Sequence, residues 1–281
     1  MRRLLTGVLV AVMLPVAVAS AREQAGGYPN SIVVIGHSGA TGYGSDVKHP
    51  LQDAFANSWA TGTNPAVDSV YTRLVAANPA AKGHVANFAV DGAVVTDLAR
   101  QIPKAAAAKP DLVIVQIGQN DIRCDGQDTS HYATFETDMT TELQKLTTAL
   151  PQARVFVVGI TGARAIPAYV KTMEGMSESA RLMHAGKGVC SMFAPASAPS
   201  PGQVVPAHVA YVTQTFAGYE ARLKAACAQF PQCTYDGGVA ARLPLTPADV
   251  TARLDHLSIA GHAKLAAAEW AAMRSAHVIP G

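Results

Sequence analysis

Read for apolar and polar positions alone, the chain alternates short unbroken apolar runs with longer segments whose apolar residues recur every three or four positions. Ile32-Val33-Val34-Ile35 stops at Gly36 and predicts a strand covered on both faces. Val85 to Val90, Asp111 to Ile117 and Val155 to Ile160 repeat that form, the first two closing on Asp91-Gly92 and on Gly118-Gln119-Asn120-Asp121. Between them, Asp68 to Ala77 predicts a helix with Val70, Leu74 and Ala77 on one stripe, and Ala93 to Ala107 a second. A third, about Tyr132 to Leu150, gathers Phe135, Met139, Leu143, Leu146 and Leu150 on one face. Farther on, Val209, Val212, Phe216, Tyr219, Leu223, Ala226 and Phe230 are spaced alternately three and four, which predicts a helix using that face for core packing. Ser258 is a good N-cap for a last helix running to about Ser275 through Leu265, Ala268 and Met273.

Strands alternating with helices imply a parallel sheet with helices on both faces, a single α/β domain. The loops at strand C-terminal ends then meet along one edge, where ligands bind in such sheets. That reasoning brings Ser38, Gly92 and Asn120 toward one site. Two stretches break the pattern. Asp46 to Pro65 is a long polar loop of the kind that shapes a site. Thr161 to Pro206 fades into Met, Gly, Ser and Pro and reads as an insertion, either a lid or a surface excursion.

Composition narrows the class. Of 281 residues, 49% are hydrophobic and 15% charged, which suits an enzyme-sized core rather than a disordered chain. Arg2 and Arg3, the apolar run Leu4 to Ala19, and Ala19-Ser20-Ala21 have the form of a signal peptide over residues 1–21, leaving 22–281 as one mature, secreted domain with 161–206 inserted. The run holds about 15 residues against roughly 20 for a membrane span, so no stable span is expected after processing. Removing Arg2 and Arg3 from 22 basic residues leaves 20 against 20 acids, and a neutral surface gives a nucleic-acid partner no electrostatic support.

The four cysteines, Cys124, Cys190, Cys227 and Cys233, read as disulfides in a secreted chain. Cys227 with Cys233 would close a small loop and Cys124 with Cys190 would tie a central loop to the insertion, but three pairings are open. Without a Cys-x-x-Cys or a histidine cluster, zinc is not expected.

Ser38 lies in Gly36-His37-Ser38-Gly39-Ala40-Thr41-Gly42-Tyr43-Gly44, four glycines within nine residues, after a strand. The Walker spacing, Gly-x-Gly-x-x-Gly and Gly-x-Ser-x-Gly are all absent, which argues against phosphate-loop and nucleophile-elbow readings. Acyl transfer by serine needs a base, a group to orient it and donors for an oxyanion. Nine histidines compete for the base. His256, in Asp255-His256-Leu257-Ser258 before the last helix, can reach the sheet edge. The backbone N–H groups of Ser38 and Gly92 and the Asn120 amide are candidate oxyanion donors.

In this order, Gly36-His37-Ser38, Gly92, Gly118-Gln119-Asn120-Asp121 and His256 resemble the four blocks of the SGNH, or GDSL-type, hydrolases across nearly the whole mature chain. Secreted actinobacterial members are most similar, with Asn57-Ser58-Trp59-Ala60-Thr61-Gly62 and the Cys124 loop as supporting features. The resemblance implies a three-layer α/β/α flavodoxin-like fold, Ser38 as nucleophile and donor, Gly92 and Asn120 as the other donors, and His256 as base. The expectation that follows is a serine esterase acting on small-molecule, lipid or glycan esters, a monomer working without metal or cofactor. Two positions depart from the family pattern: His37 stands where an aspartate usually precedes the serine, and Arg253 stands where the orienting aspartate usually lies. The third catalytic role then falls to Asp255, to the remoter Asp249, or to a backbone carbonyl. A non-catalytic binding domain and a glycan O-acetylesterase are the alternative readings.

Overall fold

The computed structural model describes residues 27–185, 190–251 and 256–281. The expected leader over 1–21, Arg253 and Asp255 lie outside the described residues.

The apolar runs become five parallel strands, β1 (Ile32–Gly36), β2 (Val85–Asn87), β3 (Leu112–Gln116), β4 (Arg154–Val158) and β5 (Cys233–Tyr235), in the order β2-β1-β3-β4-β5. β2 is shorter than its apolar run suggests, and Val90 beyond it is exposed. β5 was not expected: three residues give no usable apolar pattern, and β4 holds it by pairing Val155 to Val157 with Cys233 to Tyr235. The register aligns Gly36, Gln116 and Val158 at the C-terminal ends of β1, β3 and β4.

Along each central strand, side chains alternate between two cores, as the pleat requires. Val33, Ile35, Val113, Val115, Val155 and Val157 face one layer, made by α3 (Leu98–Ala108), α4 (Asp128–Ala149) and α7 (Pro206–Cys227). Ile32, Val34, Leu112, Ile114, Phe156 and Val158 face the other, made by α2 (Val70–Ala77), α8 (Ile259–Ser275) and the buried Trp59. The result is the expected α/β/α sandwich. Ser69 and Ser258 cap α2 and α8 by accepting the N–H of Thr72 and Gly261, each at 3.2 Å.

The stretch after β4 is more ordered than its composition suggested. It forms α5 (Ile166–Glu174) and α6 (Glu178–His184), which pack with Phe193, Val204, Val209 and Val212 into a small third core against α7. The α7 stripe therefore has two uses: Tyr219, Leu223 and Ala226 enter the main core, while Val212 and Phe216 turn toward this annex. Disulfides join Cys124 to Cys190 and Cys227 to Cys233, the first linking the loop after β3 to the annex and the second the end of α7 to β5. No helix among the described residues is long and apolar enough to cross a membrane.

Candidate active site

β1 ends because Gly36 adopts φ +138°, and a Cβ there would stand 1.9 Å from the Gln116 carbonyl oxygen. Only glycine tolerates both the conformation and the approach. The buried Gln101 of α3 clamps that peptide, accepting the Gly36 N–H at 2.6 Å and donating to its carbonyl at 2.9 Å. His37 then donates its N–H to the Gln116 carbonyl, and Ser38 opens α1 (Ser38–Thr41). His37 is the N-cap: its Nδ1 accepts the Gly39 N–H at 2.9 Å. Burial, with a smaller contribution from nearby His256, pushes the His37 imidazole down to about 4.

The polar loop Asp46 to Pro65 buttresses this turn. Ser58 Oγ and Asn87 Nδ2 both donate to the Ala40 carbonyl, at 2.6 and 2.8 Å. Trp59 Nε1 donates to Gln116 Oε1 at 2.8 Å, and Gln116 Nε2 donates to Thr161 Oγ1 at 3.3 Å. Gln116, Trp59 and Thr161 are site supports that pattern reading missed. A polar residue closing an apolar strand was the available signal for Gln116.

His256 arrives from the opposite end of the chain. Val250 and Leu257 form an antiparallel bridge, Thr251 donates its N–H to the His256 carbonyl, and Ser258 donates its own to Asp249. Gly261 permits α8 to start there, since a Cβ would stand 1.9 Å from the Asp249 carbonyl oxygen. His256 Nε2 lies 2.9 Å from Ser38 Oγ, and the Tyr43 ring packs against its imidazole with centroids 4.7 Å apart. The Asp249 carboxylate is engaged elsewhere, accepting from Thr246 N and Oγ1 at 2.7 Å each and from Lys264 Nζ at 2.5 Å. Burial raises its pKa, but these hydrogen bonds outweigh burial and hold it below the usual value.

Asn120 lies in a short turn after β3 and donates Nδ2–H to the Ala93 carbonyl at 3.0 Å. An amide carries two such donors, so one remains. Asp121 accepts the Val95 N–H at 3.1 to 3.2 Å, and the two neighbouring side chains together hold the 92–95 segment. Burial raises the Asp121 carboxyl to about 6, the Val95 N–H opposing and Asp138 and Asp97 adding to it. Gly92 takes φ +72° in this segment and is itself exposed.

Ser38, His256 and Asn120 line one cleft of about 420 Å³, with His37, Gln116, Gln119 and Thr161 completing its polar end. Its other wall is apolar: Ile166 and Tyr169 of α5, Met192, Val212, Phe216, Leu245, Val250 and Leu257, with Cys190 among them. The annex thus forms a wall of the cleft. Gly92 is outside that lining. Among the described residues, no group of His, Cys, Asp and Glu is placed to hold a metal ion.

Residues 34–264 match the model of the GDSL-like lipase/acylhydrolase family. A search of the curated proteins found no match. Among solved structures, phospholipase A1 from Streptomyces albidoflavus is similar at a TM-score of 0.54 and 14% identity, covering 89% of this chain and 99% of its own. TesA is similar at 0.51 and 16%, covering 87% and 98%. At such identities the likeness is one of fold.

Proposed function

Because the chain belongs to the GDSL-like lipase/acylhydrolase family, we propose that it is a secreted serine esterase cleaving acyl esters through an acyl-enzyme. The observation that carries this reading is the 2.9 Å contact of Ser38 Oγ with His256 Nε2 at the polar end of the cleft.

In the proposed mechanism, His256 Nε2 takes the Ser38 hydroxyl proton as Oγ attacks the ester carbonyl. The developing oxyanion is met by the backbone N–H of Ser38 and the remaining Asn120 N–H, which share the cleft lining, with the Gly92 N–H as the third donor that the family resemblance implies although Gly92 lies outside that lining. Collapse expels the alkoxide, which takes the proton from His256, and water then repeats the sequence to release the acid. Asp255, next to His256 in sequence, is our candidate for orienting the ring, since the Asp249 carboxylate is taken by Lys264 and Thr246. No step needs a metal or cofactor, and one chain carries every group used.

The apolar wall supports an acyl chain longer than acetyl as the preferred substrate and speaks against a glycan O-acetylesterase. The Ser38–His256 contact likewise favours an enzyme over a binding domain. Two disulfides fit an oxidising compartment, in keeping with a leader over 1–21, and mass spectrometry of the exported protein is expected to place its first residue after Ala21.

The test is a fluorophosphonate probe and a panel of p-nitrophenyl esters. Wild type is expected to label and to turn over esters, and Ser38→Ala to lose both. Labelling that survives Ser38→Ala rejects Ser38 as nucleophile. His256→Ala is expected to reduce kcat by roughly 10⁴ or more, by analogy with measured serine-hydrolase dyads and triads.

A further inference from the structure

Resting on the Ser38–His256 reading, we propose that His37 is a positioning residue that caps the nucleophile's turn without negative charge, so that the pair works at lower pH than a carboxylate at that position would allow. The hydrogen bond fixes the imidazole's state. Nδ1 accepts from the Gly39 N–H, so it carries no proton, and the neutral ring holds its hydrogen on Nε2. His37 is only 5% exposed, and both its burial and the nearness of His256 oppose a second proton.

An N-cap is ordinarily Ser, Thr, Asp or Asn. Asp and Asn have the same shape and similar capping strength, and they differ in charge. A carboxylate at position 37 would attract a proton onto His256 and oppose the negative charge that develops on the substrate oxygen. Neutral imidazole does neither. His262 of α8 also lies within electrostatic reach of His256, itself buried and pushed down to about 3 by burial first and His256 second. Tyr43 packs on the His256 ring, and Asp249 is paired with Lys264. Arg253 and Asp255 precede His256 in sequence, lie outside the described residues and are common to all variants compared.

The experiment measures the second-order rate of fluorophosphonate labelling from about pH 5 to 9 for wild type, His37→Asn and His37→Asp. The acid limb of His37→Asn is expected to coincide with that of wild type, whatever its absolute rate, and that of His37→Asp to move up by about one pH unit. Coincident limbs for the Asn and Asp variants overturn the proposal while leaving Ser38 as nucleophile. Wild type that does not label at all overturns the underlying serine reading, and the proposal with it. Imidazole ¹⁵N NMR of the full chain supplies a readout independent of activity: His37 is expected as the Nε2–H tautomer with no titration between about pH 5 and 8. A protonated Nδ1, or titration near the ordinary histidine value, overturns it equally.

Discussion

At the scale of single residues, the site is built from positions where a small change of chemistry has no room to be absorbed. Gly36 and Gly261 sit against carbonyl oxygens, one ending β1 before Ser38 and the other starting α8 after His256. Glu269 of α8 is a different case, fully buried and set beside the Asp236 carboxylate. Burial above all, and then nearby Asp236, push its pKa well above the ordinary 4.5. The folded chain therefore keeps a proton that the unfolded chain releases. Glu269 contributes its stability fully below the ordinary glutamate value and loses it as pH rises, with a slope of at most about 1.4 kcal/mol per pH unit. Glu269→Gln is expected to flatten the decline of stability between about pH 5 and 8. Urea midpoints at the two ends of that range check it, and an unchanged decline rejects it.

At the scale of elements, the two ends of the cleft are tied by one covalent link. Cys124 belongs to the loop carrying Asn120, and Cys190 lines the cleft from the annex. Opening a bridge that spans 66 residues is expected to cost on the order of 4 kcal/mol by the loop-entropy model. In the Cys124→Ser/Cys190→Ser variant, denaturant midpoint and KM for a long-chain ester are expected to worsen together. A lowered midpoint with an unchanged KM would confine the bridge to a role in stability. The strands around Ser38 and Asn120 were legible because strands buried on both faces are continuously apolar. α5 and α6 were not, because their apolar residues serve a small core with α7 and the 192–204 segment, and no single periodic face results. β5 is too short to carry a pattern, and Val212 and Phe216 were read as core because their spacing is the same whether a face meets the sheet or a cleft.

At the scale of the whole molecule, the sheet order places β1 and β3 side by side, with β2 returning on the far side of β1. Their connections diverge there, and the crevice opens at that switch point. The annex adds one apolar wall, and on the proposed esterase reading the distance from Ser38 to the end of that wall would limit acyl length. Each methylene buried is worth about 0.8 kcal/mol, roughly a fourfold gain in kcat/KM if realised in the transition state. The kcat/KM of straight-chain p-nitrophenyl esters is expected to climb from acetate and level off once the cleft is filled. A maximum at acetate would reject the apolar wall as an acyl site.

By itself, the sequence determined the alternation of strand and helix, the sheet edge that carries Ser38 and Asn120, and the family blocks. These follow from local periodicity and from residue types at strand ends, which neighbours in the chain are enough to specify. The family blocks single out His256 among the nine histidines, but only the tertiary structure decided that its Nε2 comes within 2.9 Å of Ser38 Oγ across 218 positions, that the Asp249 carboxylate is engaged with Lys264 and Thr246, and that the 161–206 stretch walls the cleft. Each of those depends on a close approach between distant segments, permitted by glycines at Gly36 and Gly261 and held by side chains such as Gln101 and Gln116, and no spacing along one segment encodes it.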